Sequence, residues 1–447
     1  MHKLTELIRQ DMKPALGVTE PGAIAFAVST ARNHTSGPVE KIILHLNSGM
    51  YKNAFTCGIP GSSQVGNEYA AALGWIGADP DKGLECLEGI TPDQEQQARK
   101  MIHEGRVEVI MSEITSRILI KAEAITTQNR AVVTIRDAHT HIVEITENGK
   151  VIFENFQNTA VRPDSESDEE NLNSKSDQPL QDFSIHDYTL EDLYTYVSTV
   201  DPEEISFLNE AFEMNYALAM AGLESEKTTF SRYLLAQNGN QIISEDEQKT
   251  AALLCGAAIE ARVLGLPQPA MSVTGSGAHG IIATMPLFAA AKVSGYNDET
   301  LLRATALSDL ICIYIKEYSG KLSAFCGCAI AAGTGMACGL VLLHGGGLIQ
   351  MKQTINNMAS SITGMICDGG NQGCTMKGVM AVDAAWRAAK MALQGIYVFD
   401  VHGINGTTPE KTMYNMGKIA SPGMIGTEKT IMDILNQKQK EKESRNA

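Results

Sequence analysis

The run SEDEQKTAALLCGAAIEARVL, residues 244–264, has the apolar spacing of a helix. The same spacing recurs over residues 190–200, 202–213, 298–316 and 353–361, while strand signals beyond residue 186 are scarce. The C-terminal portion, residues 186–447, is therefore expected to be mainly helical. Upstream the pattern changes. Residues 41–46, 106–114, 117–125, 130–137 and 142–147 read as strands, and Asn148-Gly149 makes a hairpin turn into residues 150–154. A helical pattern over residues 4–33 is interrupted at Pro14 and again at Gly17-Val18-Thr19-Glu20-Pro21-Gly22. A helix starting at Pro21 would put Thr19 near its N-cap and Glu20 where free N–H groups favour a carboxylate. Residues 1–154 thus form a mixed α/β region, and the fold class is α+β. Between the two portions, residues 155–185 are polar and acidic, including Asp164-Ser165-Glu166-Ser167-Asp168-Glu169-Glu170, and read as a solvated linker or surface loop. No tandem repeat is present.

With 447 residues and 44% apolar content, the chain can bury a substantial core. A net charge of -16 argues against a nucleic-acid surface, because phosphate binding needs clustered Lys and Arg and no such stripe occurs. The most apolar stretches, residues 335–349 and 379–399, are broken by His344 and a glycine triplet, or by Asp383, Arg387 and Lys390. Neither reads as a membrane span. The first residues are polar and carry no secretory signal pattern. Nine cysteines, an odd number, fit reduced thiols in a cytoplasm better than a disulfide framework. The expectation is a cytoplasmic protein with a small ligand and no nucleic-acid or membrane partner. Apolar helical surfaces leave a homodimer open.

Cys57, Cys86, Cys255, Cys312 and Cys338 stand alone, and packing as small apolar groups is their default. Cys326, Cys328, Cys367 and Cys374 differ: they lie in FCGC at 325–328 and CDGGNQGC at 367–374, small-residue turns that suit close backbone approach to a bulky cofactor. Cys326-x-Cys328 is tighter than a zinc hairpin, and on ligand type a zinc site and an iron-sulfur cluster both stay open. The turn TGSGAHG at 274–280 leads into the apolar run 281–291. Its glycines let N–H groups converge, and a helix N-terminus adds positive potential, so it is either a structural turn or a cradle for a carboxylate. His279 within it is of the type used as a general base near neutral pH. His139 and His141 alternate in a strand-like segment and read as a solvated strand face.

Further landmarks run in order through nearly the whole chain: KPALGVTEP at 13–21, Lys52-Asn53, AAALG at 70–74, His139-Thr140, GSG at 275–277, IATMP at 282–286, LSA at 322–324 and GMICDG at 364–369, continuing to Cys374. In these the sequence resembles the L-cysteine desulfidase family, which includes YhaM-type proteins, and more distantly the α domain of iron-sulfur L-serine dehydratases. The resemblance implies a helical portion of serine-dehydratase α-domain type and a 4Fe-4S cluster held by Cys326, Cys367 and Cys374, with Cys328 as the substitute for Cys326. It implies an α,β-elimination without pyridoxal phosphate, in which the substrate's thiol or hydroxyl meets the iron that has no cysteine and a base removes the α-proton. From L-cysteine the products would be pyruvate, ammonium and sulfide.

The candidate catalytic residues of this chain are His279, Glu20 and Cys57, and the candidate substrate-binding residues are Thr19, Lys52, Asn53, Ser276 and Gly277. The family pattern has cysteine ahead of Thr-Glu-Pro where this chain has Val18, a side chain that neither ligates iron nor moves a proton. It also commonly has Asn where Ala278 stands. The expected activity is that of an L-cysteine desulfidase acting on a small amino acid. The alternatives are an L-serine dehydratase-like enzyme and a silent ligand-binding paralogue.

Overall fold

A computed structural model describes residues 1–155 and 184–446, so the polar run 155–185 lies, but for its ends, outside the described residues. The N-terminal portion runs α1 (Lys3–Asp11), β1 (Lys13–Leu16), α2 (Thr19–Asn33), β2 (Val39–Asn47), α3 (Ser48–Ala54), α4 (Asn67–Ile76) and α5 (Pro92–His103). Five strands follow: β3 (Val107–Glu113), β4 (Leu119–Thr126), β5 (Arg130–Arg136), β6 (Ile142–Glu147) and β7 (Lys150–Glu154). The sheet order is β3-β2-β4-β5-β6-β7, with β2 and β3 parallel and the other pairs antiparallel. Helix α2 packs on β4 and β5, and α4 packs on α2. Small residues make this possible, since a Cβ at Gly74 of α4 would lie 2.8 Å from the Ala25 Cα.

The remainder is helical: α6 (Leu190–Thr199), α7 (Asn209–Glu224), α8 (Phe230–Gln237), α9 (Glu247–Val263), a short β8 (Pro269–Ser272), α10 (Gly277–Ser294), α11 (Asp298–Ser319), α12 (Gly333–Leu343), α13 (Leu348–Ile362), α14 (Gly373–Leu393), α15 (Pro409–Lys418) and α16 (Ile425–Asn446). Helix α9 is surrounded by α7, α8, α10 and α14, and every residue from Thr250 to Val263 is buried. A helix without a solvated face is a core helix. Its Ala and Gly content lets neighbours approach closely: a Cβ at Gly222 of α7 would stand 2.4 Å from Ala257 O. Among the described residues no helix is long and apolar enough to cross a membrane.

The α+β class read from the sequence is the observed one, and the strands at 142–147 and 150–154 have the expected bounds. Four details differ. Residues 202–213 are not one helix but a 3₁₀ turn, Pro202–Leu208, ahead of α7. Helix α2 begins at Thr19, not Pro21, with Val18 at the N-cap and no side-chain cap. Proline is tolerated there because the first four N–H groups of a helix lack internal acceptors. His139 lies in the turn between β5 and β6, where Asp137 adopts φ 65°, so the strand ends before it. Finally, β1 pairs antiparallel with β8, Lys13 opposite Ser272 and Leu16 opposite Pro269, with Ser272 Oγ donating to Lys13 O at 2.6 Å. This ladder ties the segment before Thr19 to the turn before α10.

Candidate active site

Two cysteine segments lie side by side. Cys326 N–H donates to Met365 O at 3.0 Å and Cys367 N–H donates to Ala324 O at 2.6 Å, around a bridge between Phe325 and Ile366. Cys374 follows on the first turn of α14, its thiol donating to Gly369 O at 3.4 Å. After Cys326 the chain makes a π-helical turn, Cys328–Ala332, a form often found at functional sites. Cys326 is buried, whereas Cys328, Cys367 and Cys374 are partly exposed. Glycines press this loop onto α3: a Cβ at Gly369 would lie 2.4 Å from Lys52 O, and one at Gly370 would lie 2.7 Å from Asn53 O and 3.1 Å from Val18 Cγ1.

The donor chemistry suits a thiolate-bound group. A hydrogen bond with Cys328 and burial push the Cys326 thiol well up, and burial pushes Cys374 up to about 12, so a bound metal would have to displace their protons. Positive charge is at hand to stabilise the thiolates. Lys52 opposes the upward shift of Cys367, and Lys377, paired with Asp368, opposes those of Cys326 and Cys374. A single zinc ion needs its ligands about 2.0–2.3 Å from one point. Among the described residues no three His, Cys, Asp or Glu side chains form such a group. A cubane binds each thiolate to a separate iron, and Cys326, Cys367 and Cys374 lie on two paired segments and the first turn of α14.

Beside the cysteines stands a buried carboxylate. Glu20 accepts from Asn53 Nδ2 at 2.8 Å and from Thr19 Oγ1 at 3.1 Å, while His139 Nε2 lies 3.8 Å away, a charge contact rather than a hydrogen bond. Burial alone would raise its pKa, but His139, Asn53 and Arg262 outweigh that and bring it down to about 2. Asn53 also links Glu20 to the loop, accepting from Cys367 Sγ at 3.8 Å and, through its backbone carbonyl, from Gly370 N–H at 3.1 Å. Cys57 is fully buried, and burial together with Glu20 pushes its thiol far up.

His279 and Lys316 converge on the other side of Cys326. A Cβ at Gly327 would lie 2.7 Å from His279 Nε2 and 3.1 Å from Lys316 Nζ. His279 Nδ1 is 3.2 Å from Val273 O and also contacts Thr274 Oγ1. A carbonyl only accepts, so the tautomer that bonds Val273 O carries its proton on Nδ1 and turns the Nε2 lone pair toward Gly327. Burial, Lys316 and Arg262 hold the imidazole pKa down at about 3, and burial brings Lys316 down to about 8. Lys52, expected at the substrate, instead donates to Glu428 Oε2 of α16 at 2.7 Å and to Ser323 O at 3.2 Å.

The fold therefore brings Thr19, Glu20, Asn53 and the three cysteines together, sets His279 against the loop, and leaves Ser276 at the uncapped start of α10 beside Gly277. His139, Lys316, Arg262 and Glu428 complete the surroundings and were not singled out as site residues from the sequence. His139 was read as a solvated strand residue, and its turn instead reaches Glu20 and Gly275. Nothing local to Lys316 or Glu428 marks either one. Arg262 had a faint signal, a charge in an otherwise small and apolar helical run.

The α+β fold and the family-model match together define a serine-dehydratase-like protein of lyase type. The chain belongs to the serine dehydratase alpha chain family, whose model matches residues 81–433. It is 40% identical over 442 residues to a UPF0597 protein of Clostridium botulinum, covering 98% of this chain and 99% of that one. It is 36% identical over 436 residues to a UPF0597 protein of Caldanaerobacter subterraneus, covering 98% of each, and 32% identical over 435 residues to one of Methanocella arvoryzae, covering 97% and 98%.

Proposed function

We propose that the protein is an iron-sulfur-dependent amino-acid lyase that converts L-cysteine and water to pyruvate, ammonium and sulfide. The observation that carries this is the backbone pairing of the Cys326 and Cys367 segments, with Cys374 on the adjoining helix turn. Cys326, Cys367 and Cys374 would hold a 4Fe-4S cluster, with Cys328 able to replace Cys326. When bound, the cluster supplies a Lewis-acidic iron that stabilises the leaving group's negative charge.

The chain's own residues do the rest. Glu20, ionised and held by Thr19 and Asn53, faces the substrate ammonium. The Nε2 of His279, beside Gly327 of the cysteine loop, would accept the α-proton, and Lys316 beside it, whose charge lowers the imidazole pKa, keeps the ring neutral and ready to accept. A cavity of about 670 Å³ lined by Gly58, Val263 and Asn371–Gly373 opens beside the cysteine loop. Lys52 serves the fold through Glu428, and Cys57 packs the site as a neutral thiol.

The test is anaerobic reconstitution with iron and sulfide, followed by assay of pyruvate and sulfide from L-cysteine, with Cys367→Ala alongside. The expected result is turnover that vanishes, together with acid-labile sulfide, in the variant. A fully loaded cluster that leaves both L-cysteine and L-serine untouched would sink the reading. A second reading, a ligand-binding paralogue without elimination, is favoured by one contact: Val18 methyls, not a thiol, face Gly370 of the cysteine loop.

A further inference from the structure

Arg262 ends α9 with a side chain that is 4% exposed, and its Nε is buried without a hydrogen-bond partner. No described residue accepts a hydrogen bond from its guanidinium. The same helix shows how a structural buried charge is treated. Glu260, two residues earlier and 0% exposed, accepts from Thr229 N at 2.7 Å, Phe230 N at 3.1 Å, and Ser231 N and Oγ at 2.7 and 2.6 Å. Burying a charge without filling its hydrogen-bonding positions is costly. The rigid guanidinium fork, moreover, is shaped for a planar oxyanion.

Its surroundings point the same way. A Cβ at Gly277 would stand 2.6 Å from Arg262 Nε and 3.1 Å from Cδ, so only glycine lets the guanidinium lie against the first turn of α10. That helix has 18 residues, and its N-cap Ser276 makes no side-chain cap. His279 N and Gly280 N both donate to Ser276 O, whereas no described group accepts from the N–H of Gly277 or Ala278. Free amides, a helix dipole and a guanidinium whose buried Nε has no partner thus meet at one place. Glu20 shares the field of Arg262, but its own hydrogen bonds go to Asn53 and Thr19. One cation and one anion near each other match a zwitterion better than a simple anion, which Glu20 would repel.

We infer that Arg262 and the first turn of α10 receive the α-carboxylate of an amino acid, while Glu20 faces its ammonium. The identity of the ligand as an amino acid rests on the lyase reading; the carboxylate receptor does not. L-Alanine has no leaving group, so its binding is independent of turnover. Titration calorimetry of the full-length reconstituted protein would compare L-alanine, L-alaninamide and propionate, for wild type, Arg262→Lys and Arg262→Gln. Wild type should prefer L-alanine to the amide by at least about 30-fold, the scale of one buried charge-assisted pair. Arg262→Gln should erase that preference and Arg262→Lys should restore part of it, with iron content unchanged in each.

An amide bound as tightly as the acid by wild type, or an unaltered preference in Arg262→Gln, overturns the inference. The wild-type comparison retains its force even if the glutamine variant does not fold. Arg262-dependent carboxylate binding in a protein that leaves L-cysteine untouched would uphold the receptor and count against the lyase reading alone.

Discussion

Of the buried cations around the site, Lys52 and Arg262 are treated in opposite ways. Lys52 on α3 is 1% exposed and its ammonium is met by Glu428 and the Ser323 carbonyl. Arg262 on α9 is nearly as buried and is met by no acceptor among the described residues. The first ties the last helix of the chain to the platform under Cys367; the second leaves a charged fork open beside the helix start that carries His279. A satisfied buried ion is part of the scaffold, whereas an unsatisfied one is held by the scaffold for something that arrives. Composition alone could not have separated the two, because Lys52 suits a substrate by residue type as well as Arg262 does.

The largest stability effect expected lies at the filled cation. Lys52→Met strands Glu428 in the interior and should cost about 3–5 kcal/mol, read as a lower urea midpoint, while Lys52→Met with Glu428→Leu should recover most of it. A single variant within about 1 kcal/mol of wild type would erase the contrast with Arg262 and return Lys52 to the substrate. Next comes Glu20. Its folded pKa, about 2, lies below the ordinary 4.5, so it contributes stability above 4.5 that is lost as pH falls toward 2. The full loss is about 3 kcal/mol, and Glu20→Gln should lack that part of the acid dependence. Equal acid dependence in the two proteins would mean that Glu20 is not held as an anion between Asn53 and Arg262.

The sheet was legible because β4 and β5 carry long runs of apolar and β-branched residues bounded by clear turns, and α9 because its run is long and unbroken. β1 and β8 were not, since four residues with a proline in each carry no period and their pairing spans most of the chain. The cysteines, Glu20 and Asn53 stood out by type and by the company of glycine. His139, Lys316, Arg262 and Glu428 did not: His139 and Glu428 gain their meaning from Glu20 and Lys52, far away in sequence, and Lys316 and Arg262 from the close approach of a glycine on the following segment, Gly327 and Gly277.

Val18→Cys should have the smallest effect on stability and sharpens the comparison most. Val18 is buried against Gly370, with one methyl carbon 3.1 Å and the other 3.4 Å from where a Cβ on that glycine would stand. Cysteine is slightly smaller and still apolar when buried, so the unfolding midpoint should move by no more than about 1 kcal/mol. Its thiol would face the cysteine loop from the Lys52 side, apart from the Arg262 receptor. If Val18 silences elimination, the variant should gain pyruvate formation from L-cysteine while keeping the wild-type preference for L-alanine over its amide. Unchanged turnover would instead show that the base lies elsewhere, on the side of His279 and Lys316. A shift in the acid-to-amide preference would show that the two sides are not separable, because a change made beside the filled cation would then be felt at the empty one.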